Sequence, residues 1–307
     1  LDIAKMNGSD VTVGLIDETI RAHPEMEQVP ARTIIGLSYK TLVRTALPTV
    51  GFRKANTGAT PGKSTYENRT VDTFIVTPRW TADRAIADAH EDGAEALLAI
   101  EGKGQMEAAM ITMGSQFYYG AANDALGHPG LVNMYDSANL TVDATGSTSN
   151  GTTSVWAVKF GPQYCQWVFG NNGNLKPSEI MIQQLNDPSG NQYTGYVQEV
   201  NIRPGLQLGS LLGVGRIKNI SAQSGKTLND TLLASLMGLF KVGIRPDAIF
   251  MSRQSRTQLQ QSRSVTLFGN SNQKVSGKEA TIAPTPTEYE GIPIYPTDSI
   301  LNTEAVS

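Results

Sequence analysis

Gly58-Ala-Thr-Pro-Gly-Lys-Ser64 is the stretch nearest to a phosphate-binding loop. Such a loop needs four residues between its glycines, so that backbone N–H groups wrap the phosphates, and a helix directly after it. Only three residues separate Gly58 from Gly62, and strand-forming residues follow Ser64. Gly225-Lys-Thr227 fails too, because position 220 is Ile. His23, His90 and His128 are scattered, with no HExxH or other His/carboxylate set at ligand spacing, so no metal site is expected. Three histidines and no G-x-S-x-G turn leave a Ser-His-Asp arrangement unsupported. Glu288 and Glu290 pair in a loop and read as solvated. Cys165, the single cysteine, excludes an intrachain disulfide and reads as a small buried hydrophobe. No catalyst and no cofactor are expected from these residues.

The elements that would have to position chemistry are themselves unusual. The 307 residues carry a 39% hydrophobic and 17% charged share with 30 Gly, a composition of strands, turns and loops in two modest domains or one with long arms. A net charge of −3 gives no overall basic footprint for nucleic acid. No run approaches a membrane span and no signal peptide is visible. Asn68-Arg-Thr70 and Asn150-Gly-Thr152 are therefore composition rather than glycosylation sites. The chain opens on Leu1 rather than Met, which fits a leader either removed or not part of the sequence.

Residues 1–45 form a weakly patterned arm. Val13 to Ala22 can make a short helix before Pro24 and Pro30 interrupt, and the arm needs partners to hold it. In 46–80, Leu47 to Arg53 leads in, Asn56 to Ser64 is a breaker-rich tip, and Ser64 to Thr77 leads out: a two-stranded ribbon, marginal alone and in need of another surface. Thr81 to His90 reads as a short capped helix. A longer one runs from about Ala94 to Met113, with Leu97, Leu98, Ile100, Met106, Ala109, Met110 and Met113 on one side, and Gly102 and Gly104 each costing about 1 kcal/mol relative to Ala. Strands follow at Ser154 to Phe160, Tyr164 to Phe169, Tyr193 to Ile202 and Gly215 to Ile220, the first two read as a hairpin with one aromatic face. From Thr227-Leu-Asn-Asp230 an amphipathic helix runs to Gly243. Then come a short buried strand at Ala248 to Met251, a polar helix capped by Ser252 through Arg263, a Gly/Ser/Asn/Lys-rich loop, and Glu290-Gly-Ile-Pro-Ile-Tyr-Pro-Thr-Asp298.

That closing order, with its GIPIYPTD strand after a long loop, resembles the axial domain of tailed-phage major capsid proteins of the Hong-Kong-97 type. The resemblance extends back through the chain and implies an α+β fold: N-terminal arm 1–45, extended loop 46–80, β-rich peripheral domain 81–222 with the spine helix at about 94–113, and α/β axial domain 223–307. It implies a structural shell protein in the virion, made in the host bacterial cytoplasm and forming icosahedral shells around double-stranded DNA. Its partners would be itself in hexamers and pentamers, portal, scaffold and decoration or cement proteins, weak non-specific contact with packaged DNA, and no membrane. By the same resemblance the extended loop reaches over a neighbouring copy, making Arg53, Lys54, Lys63, Glu67 and Arg69 candidate interface residues. Arg253, Arg256 and Arg263 on the polar helix are either a solvated face or a surface around a ring axis. Covalent cross-linking between subunits is not expected, with Lys54 and Lys63 candidate donors by position only. A non-viral compartment shell of similar fold is the nearest alternative, and a β-rich hydrolase or nucleotide-binding enzyme a more distant one. Only Ser299 to Ser307 follow the last strand, so residues 154–222 are expected to supply the sheet under the spine helix, in a permuted order. That requires Tyr193 to Ile202 and Gly215 to Ile220 to pack on Leu97, Leu98, Met106 and Met110.

Overall fold

The computed structural model describes residues 21–90, 92–268 and 283–306. The expected arm helix from Val13 and the polar loop around Ser271 lie largely outside those residues.

The elements in chain order are α1 (Pro24–Gln28), β1 (Ala31–Thr33), β2 (Ser38–Ala46), β3 (Thr65–Asp72), β4 (Arg79–Asp83), α2 (Arg84–Ala87), α3 (Gly93–Tyr119), α4 (Leu131–Met134), β5 (Thr141–Asp143), β6 (Thr152–Val158) and β7 (Cys165–Phe169). They continue with β8 (Met181–Asn186), β9 (Gln192–Glu199), β10 (Pro204–Leu208), β11 (Val214–Ser221), α5 (Asp230–Leu239), β12 (Ala248–Met251), α6 (Arg253–Phe268), β13 (Glu288–Tyr289) and β14 (Ile292–Pro296).

The spine helix α3 has 27 residues, about 40 Å at 1.5 Å per residue. It runs six residues past the expected Met113 because its last turn is held by tertiary contacts: Phe117 and Tyr118 are fully buried in an aromatic core with Trp156, Trp167 and Phe250. Gly120, at φ +54°, then turns the chain away.

A six-stranded sheet, in the order β13-β14-β12-β6-β11-β5, is the centre of the molecule. Every residue of β6 is buried. Trp156 and Val158 face the aromatic core, while Val155 and Ala157 face a second core with Leu233 and Leu236 of α5 and Leu259 of α6. The expected hairpin of this strand with the next is therefore corrected. β6 pairs with β11 and β12, whereas β7 pairs with β1 and β10 in a separate sheet, and a lone Phe160–Cys165 bridge joins the two segments. Period-2 alternation identifies a strand but not its partner, and a strand buried on both faces belongs in a sheet's middle.

The first part of α3 packs on another layer, the three-stranded sheet β4-β9-β8. Leu97, Leu98, Ala109 and Met113 meet Trp80, Ala82, Val200 and Ile202, with Met106, Met110 and Tyr196 alongside. Half of the expected permutation holds: the segment from Tyr193 to Ile202 does cover the spine helix. The other half is corrected, since Gly215 to Ile220 lies in the six-stranded sheet and packs against α5 and α6. That sheet draws strands from both sides of residue 222.

Three local readings also change. The expected helix from Thr81 begins as strand β4, because Trp80 and Ala82 alternate inward; Asp83, accepting from Ala85 N at 2.9 Å, caps the four-residue α2 instead. Pro24 opens α1 rather than interrupting a helix, at a first-turn position where a missing N–H costs nothing. The ribbon's lead-in strand is Ser38–Ala46, in register from Ser38↔Asp72 to Val43↔Glu67, and Leu47 to Arg53 belongs to its tip. Pro48, which has no N–H to give a ladder, follows the end of the pairing.

Gly102 has a specific reason to be glycine. A Cβ there would lie 2.9 Å from the Trp80 ring, so the position lets the indole lie against the helix. Gly104 has no neighbouring atom within 4 Å of such a Cβ.

Candidate assembly surfaces

The ribbon is rooted at its base and bare at its tip. Arg69 Nη1 donates to the Gly209 carbonyl at 3.0 Å, Tyr39 donates to Gln207, and Gln207 donates onward to the Pro162 carbonyl at 2.9 Å. Arg32 stacks 4.9 Å above the Tyr39 ring, and partial burial raises the Tyr39 hydroxyl above its ordinary pKa. Beyond this root every residue from Thr49 to Lys63 is exposed, Val50 at 89% and Phe52 fully so, and Leu47 just before them is 74% exposed. Leu42 on β2 is 67% exposed. Together these apolar side chains form an uncovered patch on one projection.

Of the five ribbon residues singled out from the sequence, Arg53, Lys54 and Lys63 lie together in this tip. Arg53 donates to the Thr57 carbonyl at 2.7 Å, in a turn where Thr57 Oγ1 also donates to the Lys54 carbonyl. Glu67 and Arg69 sit on β3, 3.7 Å apart, with Arg69 already committed to Gly209. The would-be phosphate loop is part of the same tip, and Lys63 leads into a strand. Sequence reasoning missed the ribbon's charge. From Ser38 to Asp72 there are six Lys and Arg against two acids, in a chain of net charge −3. Counting charge by segment reveals this asymmetry.

The three arginines of α6 part company. Arg263 grips Asp230 of α5 with three bonds, two from Nε at 3.0 and 3.2 Å and one from Nη2 at 2.8 Å, while Arg253 is exposed and Arg256 half-buried. Ser252 caps the helix, accepting from Ser255 N at 3.2 Å. Gln258 is buried and ties the Leu228 N–H to the Ser221 carbonyl.

Two buried carboxylates, neither foreseen, fasten the described ends of the chain to the end of α3. Glu25 of α1 accepts from Tyr118 at 3.4 Å, from Thr297 at 2.9 Å and from Ser299. Beside it the Ala22 N–H donates to the Asp298 carboxylate at 2.9 Å, and the Asp298 N–H donates to the Ala22 carbonyl at 3.1 Å. Glu304 accepts from Tyr119 at 2.7 Å, Ser154 at 2.5 Å and Arg216 at 3.0 Å. Burial first, and then the adjoining carboxylate, raises both tyrosine hydroxyls well above their ordinary range. Gly114 leaves room for this junction, since a Cβ there would strike Ser299, Glu25 and His23. The arm is thus held within its own chain from residue 21 onward.

His23 Nδ1 lies 2.9 Å from Ser299 Oγ, so that a hydroxyl, an imidazole and the Glu25 carboxylate meet there in the manner of a nucleophilic site. Ser299 is buried, and its hydroxyl donates to Glu25, so it neither faces a substrate nor passes its proton to the histidine. Cys165 is likewise buried, which pushes its thiol pKa up and leaves it unreactive, as the sequence reading held. Among the described residues no group of three His, Cys, Asp or Glu is placed to hold a metal ion, and no helix is long and apolar enough to cross a membrane.

The family profile described as "Major capsid protein GP7" matches residues 26–307. The chain belongs to that major capsid protein family. This capsid protein is similar in structure to the bacteriophage Epsilon15 chain solved by cryo-electron microscopy, at TM-score 0.73 and 19% identity, covering 99% of this chain and 96% of that one. Weaker likenesses are to a chain of Mycobacterium phage Adephagia (TM-score 0.49, 12% identity, 70% of this chain and 96% of that) and to the SrpI encapsulin of Synechococcus elongatus (0.49, 9%, 72% and 96%). No curated protein matches the sequence. The capsid protein thus has the α+β capsid fold of the Hong-Kong-97 type and is a structural component of the virion shell, which it builds by self-assembly; it is not an enzyme.

Proposed function

We propose that copies of this protein form hexameric and pentameric rings that close into an icosahedral shell around double-stranded DNA, each copy reaching onto the next with its ribbon. The observation that carries this reading is the bare tip, whose Leu47, Val50 and Phe52 have no cover within their own chain. A head-to-tail contact of tip on neighbour is heterologous, and such contacts close into rings when the rotation fits. The peripheral layer in this reading is the first part of α3 with β4, β8 and β9, and the axial layer is the six-stranded sheet with α5 and α6. Arg253 and Arg256 face the ring axis, while Arg263 serves within the chain. The chain is made in the host bacterial cytoplasm. Portal, scaffold and decoration or cement proteins are its further partners, and its contact with packaged DNA is weak and non-specific, in keeping with a net charge of −3. Electron microscopy of purified protein tests the assembly: closed particles or rings are expected, and a monodisperse monomer at native salt would refute it.

A further inference from the structure

A small cavity of about 150 Å³ lies beside the later turns of α3. Its walls are largely apolar: Phe74 and Val76 from the segment between β3 and β4, Met113 of α3, and Pro204 at the start of β10. Leu126 and Ile75, 86% and 64% exposed, also line it and give it a mouth at the surface. Two buried polar side chains, Gln116 and His128, complete the interior. Gln116 is engaged at both ends of its amide, the nitrogen donating to the Asp124 and His128 carbonyls at 3.1 and 2.6 Å and the oxygen accepting from Asn123 at 2.9 Å. His128 is engaged at one nitrogen. Its Nδ1 lies 3.1 Å from the Pro129 carbonyl, which can only accept, so the proton sits on Nδ1 and Nε2 carries a lone pair. Burial lowers the pKa of the ring and keeps it neutral at neutral pH. Nε2 is buried and has no hydrogen-bond partner among the described residues. A buried acceptor in that state lacks a donor.

We propose that this cavity binds a single phenol ring, the hydroxyl donating to His128 Nε2 and the ring held by Phe74, Val76, Met113 and Pro204. The site is independent of how copies meet in the shell. Size selects the ring, since an apolar cavity of about 150 Å³ takes one benzene. The unpaired acceptor selects the hydroxyl. Water is a poor occupant, because a buried water is held by about three hydrogen bonds and the other buried polar group here, the Gln116 amide, is already engaged. An ammonium or guanidinium would bring its charge against apolar walls and a neutral imidazole, a desolvation cost that one neutral acceptor does not offset. Asp124, the charged residue of the lining, is exposed and accepts from the Leu126 N–H at 2.9 Å. A phenol exchanges its hydrogen bond to water for one to Nε2 and buries its ring in the same step. A free phenol and the tyrosine side chain of a partner protein share this chemistry.

Saturation-transfer NMR on the purified full-length protein compares p-cresol with toluene, the same body without the hydroxyl. p-Cresol is expected to bind about tenfold more tightly, the worth of one hydrogen bond. His128→Phe, which keeps a ring but loses the acceptor, is expected to abolish that preference. Equal binding of the two compounds by the wild type, or an undiminished preference in the folded variant, overturns the site. Cryo-electron microscopy of the wild-type protein soaked in p-cresol needs no variant. Ring density in the cavity with its hydroxyl at His128 Nε2 supports the proposal; ordered water only, or ring density only elsewhere, overturns it. N-acetyltyrosinamide separates the two sources. Its competition with p-cresol assigns the site to a tyrosine side chain of a partner protein, and p-cresol binding without such competition assigns it to a free phenol.

Discussion

Tyr119 donates its hydroxyl to Glu304 across 2.7 Å, while Tyr118, the residue before it, donates to Glu25. Neighbours on the last turn of the spine helix thus bind carboxylates that lie 279 positions apart in sequence. Successive helical residues point about 100° apart, so one turn can hold two separate segments. The junction locks arm, spine helix and the segment after β14 into one unit, from which the ribbon projects.

Arg216 and Glu304 are both almost fully buried, and removing one charge strands the other. Glu304→Gln is expected to destabilise the subunit by about 3 kcal/mol, read as a lower urea midpoint. Adding Arg216→Met to Glu304→Gln, which keeps an amide oxygen to accept from Tyr119 and Ser154, is expected to recover much of that loss. Equal losses in the single and double variants would count against the pairing.

The two glycines of α3 should respond in opposite directions. Gly104→Ala fills open space on an exposed helix face and should stabilise the unassembled subunit by about 0.5–1 kcal/mol. Gly102→Ala drives a methyl into Trp80 and should destabilise it despite the same gain in helix propensity. Thermal melts of the two variants side by side settle the contrast, and matching shifts would contradict it.

His128 is buried against Trp167, and burial lowers its pKa below the ordinary 6.5. The unfolded chain therefore takes up a proton at a pH where the folded one does not. Stability from this group is whole above about 6.5 and falls as pH drops below it. Urea midpoints of wild type and His128→Gln, compared from pH 7.5 to 5.5, should converge as the pH falls. A constant gap would refute the coupling.

Much of the fold is legible in the residues because apolar pattern and burial coincide. Ala248 to Met251 is a continuous apolar run and becomes β12, and GIPIYPTD contains β14. What stays hidden is long-range. Alternation in Ser154 to Phe160 specifies a strand without saying that β11 and β12 flank it. The last turn of α3 follows from packing of Phe117 and Tyr118, not from helical periodicity. Glu25 and Glu304 look like any surface acids, and only the partners brought to them from distant positions explain their burial. At the candidate surfaces Arg53, Lys54 and Lys63 all lie exposed in the tip. Arg69 and Arg263 could not be told from free arginines until Gly209 and Asp230 were in place.

The central claim is that the bare ribbon tip makes the contact between copies. Deleting Thr57 to Lys63 leaves the root bonds of Arg69 and Tyr39 untouched, so the subunit should keep its circular dichroism spectrum and urea midpoint. Sedimentation velocity of wild type and deletion variant at equal concentration measures the claim most directly. Rapidly sedimenting shells from the wild type and folded, slowly sedimenting subunits from the variant are the predicted result; shells of normal size and yield from the variant would contradict it.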